Sequence, residues 1–222
     1  MGIFYVVMSN IKFKERSLQI RGRVKIETYK AGMVERVMPY LDMIREHRDA
    51  ARGLSRSHKA FRSHHLDRIQ ELKILIDSIK RAHFRGTPAL VNNLVMDSPN
   101  YGLDLIIQRL TGNNTYSLNL LWIELGTGTT APTVNDTGLS TPSIRLPVSY
   151  QEDYGATDAI VQAYVADANL TNATYGEVGS FVDGNASIGT GQLFNHALIS
   201  PTFAKVSGED VTVEIDVSIM NS

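Results

Sequence analysis

The chain has 222 residues and no cysteine, which excludes disulfides, thiolate nucleophiles and cysteine metal centres. Hydrophobic residues make up 43% and charged residues 20%, a balance that builds a core and excludes wholesale disorder; no apolar run approaches the roughly 18 to 20 residues of a membrane span. The net charge of −1 hides opposed parts: residues 1–85 carry 19 Lys and Arg against 9 Asp and Glu, and residues 116–222 carry 2 against 12. Such an imbalance points to an electrostatic partner, either nucleic acid or the acidic part of another copy.

The opening "MGIFYVVMSN" lacks the basic leader and cleavage site of a secretory signal. Met8 offers a second natural start, and the apolar character of the segment suggests that a neighbouring subunit packs on it. Sequons at Asn113, Asn135, Asn169, Asn172 and Asn185 follow from the Asn- and Thr-rich composition and are not read as glycosylation sites.

Residues 17–27, "SLQIRGRVKIE", alternate cleanly. Leu18, Ile20, Val24 and Ile26 face one way and Gln19, Arg21, Arg23, Lys25 and Glu27 the other, the period of a half-buried strand. "YKAG" then reads as a turn and "MVERV" as a returning strand, which makes an N-terminal β-hairpin within residues 1–38. At Pro39 the texture changes, with the proline near a helix start and Gly53 at its end. A second helix is expected from His58 to Ala82, where Leu66, Ile69, Leu72, Ile76 and Ile79 form one apolar stripe. Residues 39–86 are thus a basic helical insertion.

From Thr87 onward the residues read as a β-domain extending to 222. Tyr101–Gly112 is a short amphipathic helix, and Tyr116–Leu125 is strand-like and central. "SIRLPVSYQ", "DAIVQAYVAD", "GQLFNHALIS" and "EDVTVEIDVSI" are further strands, with joins rich in Gly, Asn, Asp, Thr and Ser. The fold class is α+β: a mainly antiparallel β-sandwich-like domain carrying the hairpin and the insertion.

Residues 126–142, "GTGTTAPTVNDTGLSTP", start like a phosphate loop. A dinucleotide fingerprint needs a helix after its glycines, and a P-loop needs a lysine; Pro132 and the polar run that follows supply neither, so the segment reads as a turn. His58, His64 and His65 have the wrong spacing for one zinc site and read as a solvated face. His196 reads as packed or hydrogen-bonded despite Ser200 nearby. Adjacent Glu152 and Asp153 point to opposite faces, which is wrong for glycosidase chemistry. No catalytic, cofactor-binding or metal-binding residue emerges. Arg45, Arg48, Arg52, Arg56, Lys59 and Arg62 could meet phosphates, but almost no aromatics interleave them. A basic helix that is solvated or meets an acidic protein is the better reading.

"LLWIELGTGTTAPTVNDTGLSTP", "YGEVGSFVDG" followed by "GQLFNHALIS", and the terminal "VTVEIDVSI" together resemble a pattern in structural proteins of tailed bacteriophages. It covers about residues 118–219 and, faintly, "IRGRVKIE"; the helical section departs from it. The resemblance implies a virion subunit of tail-fibre, tail-tip or baseplate type, without enzymatic activity. It would sit among other virion proteins, as a homo-oligomer such as a trimer, and use Leu66, Ile69, Leu72, Ile76, Ile79, Arg45, Arg48 and Arg52 as contact surface, within the chain or between copies. A capsid decoration or head-fibre protein, a nucleic-acid module and a carbohydrate-active tail enzyme are the alternatives. Gly126, Gly128, Pro132, Gly176 and Gly179 would be architectural, the glycines admitting backbone angles closed to other residues and Pro132 stiffening the loop.

Overall fold

A computed structural model describes residues 18–54 and 58–221. The expectations for the opening segment and Met8, and for Arg56, fall outside these residues. Strand β1 (Leu18–Lys30) buries Val24 and Ile26 on one face. Its opposite face presents Arg21, Arg23, Lys25, Glu27 and Tyr29, as period two dictates.

The expected hairpin within residues 1–38 does not form. Gly32, at φ +88°, turns the chain, and "MVERV" opens helix α1 (Met33–Gly53). Met33, Val34, Val37, Leu41 and Ile44 are all buried, at helical and not alternating spacing. The β-branched valines favour a strand only locally, and burial of this stripe overrides that preference. Pro39 consequently lies inside α1 and not near its start. Helix α2 (Lys59–His83) returns alongside α1, and the antiparallel partner of β1 comes only afterwards, as β2 (Phe84–Val95), with Gly22 opposite Asn93 and Tyr29 opposite Phe84. The helices are an insertion between two paired strands.

Helix α3 (Gly102–Leu110) precedes β3 (Leu120–Gly126), β4 (Pro142–Pro147), β5 (Tyr150–Tyr154), β6 (Asp158–Val165), β7 (Thr174–Val182), β8 (Gln192–Ala204) and β9 (Glu209–Asn221). Among the described residues all the pairings are antiparallel, in one nine-stranded sheet ordered β4-β3-β7-β8-β2-β1-β9-β6-β5. The α+β class dominated by antiparallel strands is as the sequence reads. The two sandwich-like faces belong to one sheet curled on itself. Strands β4 and β5 stand at opposite ends of the order but are joined by Val148 and Ser149 alone. The Val148 amide bonds to Leu121 O at 3.0 Å and that of Ser149 to Gln162 O at 2.8 Å, so the link ties both ends together.

Inside the curl lies one core, to which Val24, Ile26, Ile123, Leu125, Val178, Phe203, Val213 and Ile215 contribute. The outer face has two covers. Over β1, β9, β6 and β5 lie α1 and α2, packed on Tyr29, Tyr150 and Tyr164. Over β3, β7 and β8 lies the loop of residues 127–141, and residues 183–191 close over β3 and β4. Among the described residues no helix is long and apolar enough to cross a membrane.

Candidate functional site

The glycine-bearing loop does hold an anion, and the anion is the chain's own. Glu177 sits on β7 facing outward, and its carboxylate is buried under the loop that joins β3 to β4. Four donors of that loop converge on it: the amides of Gly128 at 3.2 Å, Ser140 at 2.9 Å and Thr141 at 2.6 Å, and the Ser140 hydroxyl at 2.9 Å. A fifth contact comes from β8, where His196 Nε2 lies 3.1 Å from Glu177 Oε2. His196 Nδ1 lies 2.9 Å from Asp136 Oδ2, and Asp136 in turn accepts from the Thr133 amide and hydroxyl at 3.0 and 2.7 Å. With a carboxylate on each side, the imidazole satisfies both contacts when both nitrogens carry hydrogen.

Burial pushes the Glu177 carboxyl up, but the Ser140 and Thr141 donors and His196 outweigh it and hold the group below the ordinary glutamate range. Asp136 follows the same pattern: burial raises it, while Thr133 and His196 bring it down further. The Ser140 hydroxyl donates to this carboxylate, so its proton is committed there. Chemically the arrangement is a filled cradle that fixes the loop to the sheet.

The glycines are required, though not through their backbone angles: none of the four has a positive φ. What excludes a side chain is contact. A Cβ at Gly126 or at Gly128 would stand 2.4 Å from Glu177 Oε1, and one at Gly176 would stand 2.3 Å from Gly128 O. Gly179 meets Leu193, Asn195 and Leu139 at 2.9 to 3.0 Å. Pro132 lies in the loop outside these contacts. Glu177, Asp136 and His196 are residues that sequence reasoning did not assemble; the available signal was a lone carboxylate set between glycines in an otherwise apolar strand.

A second buried charge lies close by. Arg145 on β4 meets Glu124 on β3 at 2.5 Å, both side chains being 1% exposed. It also donates to Asn185 O at 2.8 Å and Thr190 O at 2.6 Å, and its guanidinium lies 4.8 Å from the Phe181 ring centroid. Glu124 accepts the Gly189 amide at 2.8 Å. This pair pins the segment 183–191.

The stripe residues are distributed unequally. Ile69, Leu72 and Ile76 are buried in the cluster with α1 and Tyr29 of the same chain, and Ile79 is half-buried beside them. Leu66 is 48% exposed and outside that cluster. Arg45, Arg48 and Arg52 share one side of α1 and line a groove of about 280 Å³ with Leu121, Val148 and Gln151. Arg45 pairs with Asp42 at 3.0 Å, and Arg48 donates to Gln151 O and lies 5.2 Å from the Tyr150 ring centroid.

Among the described residues, ion pairs Lys73–Glu152 and Arg85–Glu209 join the basic and acidic parts within one molecule. Lys73 of α2 pairs with Glu152 of β5, and Lys80 reaches Glu27 of β1 at 3.5 Å. Tyr150 donates to Glu152 at 2.7 Å. A cleft of about 600 Å³ between α2 and the sheet is lined by Lys73, Lys80, Tyr150 and Glu152 together with Tyr164, Gln162 and Glu214. The basic insertion thus meets carboxylates of its own sheet, Glu27, Glu152 and Glu214 among them. No family model matches the chain, and neither does any curated protein or solved structure.

Proposed function

We propose that the chain is a non-enzymatic structural subunit of a bacteriophage virion, of the tail or baseplate with a fibre or adaptor role, that works by docking against other subunits. One observation carries the reading. The residues on which the phage-protein resemblance rests, Gly126, Gly128, Gly176 and Glu177, are consumed in fastening a loop to a sheet. A motif whose donors are spent internally supports a building role, in which a rigid curled body presents its loops and helical hairpin to neighbours.

Antibody labelling of purified phage particles, viewed by electron microscopy, tests this. Label at the tail or baseplate is the expected outcome. Label on the head would favour a decoration protein instead, and absence of the chain from purified particles overturns the proposal.

A further inference from the structure

His47 of α1 and His65 of α2 meet with their Nδ1 atoms 2.9 Å apart and their ring centroids 5.2 Å apart. Two imidazole nitrogens at this separation make a hydrogen bond only if one donates and the other accepts, so at least one ring must be neutral. A single added proton is compatible with the contact; a second places hydrogens and positive charges face to face.

The place of this contact in the hairpin gives it consequence. The apolar packing that holds the helices on the sheet runs from Met33 to Ile44 on α1 and from Ile69 to Ile79 on α2. The histidine pair lies just beyond that cluster, toward the distal end. There α1 retains support from β5 through Arg48, whereas the first turns of α2 expose Lys59 to His64. Within four positions of the two histidines, α1 carries Arg45, Glu46, Arg48 and Asp49, and α2 carries Arg62, His64, Asp67 and Arg68. The His64 ring lies 5.8 Å from that of His65. Four arginines against three carboxylates leave this end positive before any histidine charges.

We propose that His47 and His65 form a proton-operated clasp: closed while one ring is neutral, and open once both are charged, which releases the N-terminal turns of α2 from α1 without unfolding the sheet. The clasp therefore contributes at higher pH and is lost as pH falls and the second proton binds. Opening presents more positive charge at the hairpin end in acid than at neutrality.

The absence of cysteine allows a clean test. Spin labels on Ala50→Cys and Ala60→Cys in the full chain would be measured by double electron–electron resonance across about pH 5 to 8, where histidine changes charge. The expected result is a single short distance at the upper end that lengthens and broadens toward the lower. His47→Gln and His65→Gln should each abolish that dependence, and His64→Gln should retain it. A distance distribution unchanged across the range overturns the clasp, as does a pH dependence that survives in the His47→Gln/His65→Gln double variant. Should either variant fail to give the native circular dichroism spectrum, histidine NMR of the wild-type chain decides. The second ring must charge in the same pH step as the distance change, and separate steps overturn the proposal.

Discussion

The Asp210 carboxylate accepts the Val34 amide at 2.8 Å, across 176 residues of sequence, and supplies the N-terminal cap that α1 lacks locally. Its other oxygen accepts the Asp167 amide at 2.9 Å, so one buried side chain from β9 fixes both the start of the insertion and the turn after β6. Asp210→Ala should lower unfolding stability by about 1 to 3 kcal/mol, since a cap is lost and buried amides are left unpaired. Urea unfolding would show a lower midpoint at an unchanged slope. A midpoint equal to that of the wild type would remove Asp210 from this role.

Acid should weaken the cradle around Glu177. Glu177 and Asp136 are both held below their ordinary values of 4.5 and 3.8, so their contribution is complete above the ordinary carboxylate range and is lost as pH falls through the depressed folded values. Glu177→Gln should be less stable at pH 7 and show a flatter decline in Tm between about pH 5 and pH 3. Parallel declines in variant and wild type would count against this assignment.

Contact, and not backbone freedom, decides which loop glycines matter. Gly128→Ala places a methyl 2.0 Å from Ser140 Oγ and 2.4 Å from Glu177 Oε1, and should destabilise by about 1 to 3 kcal/mol. Gly138→Ala, in the same loop, meets nothing within 4 Å and should be neutral or gain up to about 1 kcal/mol. Equal effects at the two positions would contradict the packing account.

The α2 stripe separates by burial. Leu72 is 0% exposed, whereas Leu66 is 48% exposed. Leu72→Ala should cost about 2 to 5 kcal/mol, and Leu66→Ala within about 0.5 kcal/mol of zero in the isolated chain. Thermal unfolding of both variants checks the contrast. A large loss for Leu66→Ala in dilute protein would mean that its side chain is covered in solution.

Much of this fold is legible in the residues. The alternation of Val211 to Ile219 and of Leu18 to Ile26 marks β9 and β1, because apolar residues occupy one face and polar residues the other. The long helix follows from the spacing of Ile69, Leu72 and Ile76. The start of α1 is not legible, because its cap comes from Asp210 and its valines carry a strand preference. Strand β2 is hidden by Gly86, Pro88 and two asparagines, and β7 by Gly176 and Gly179, which clear space for a loop distant in sequence. Of the Glu177 cradle, the glycines and the loop stand out in the sequence. The partnership with Asp136 and His196 does not, since pairing of β7 with β8 and the path of a fifteen-residue connection bring them together.

The longest ladder among the described residues joins Leu18–Lys30 to Glu209–Asn221. Every other helix and strand among the described residues lies between these two, so their pairing closes the largest loop in the fold. Native assembly is therefore governed by a closure of very large sequence separation that is slow by nature. Until it occurs, the first strand carries bare backbone along that edge, and α1 lacks the cap that Asp210 of the same late-pairing strand supplies.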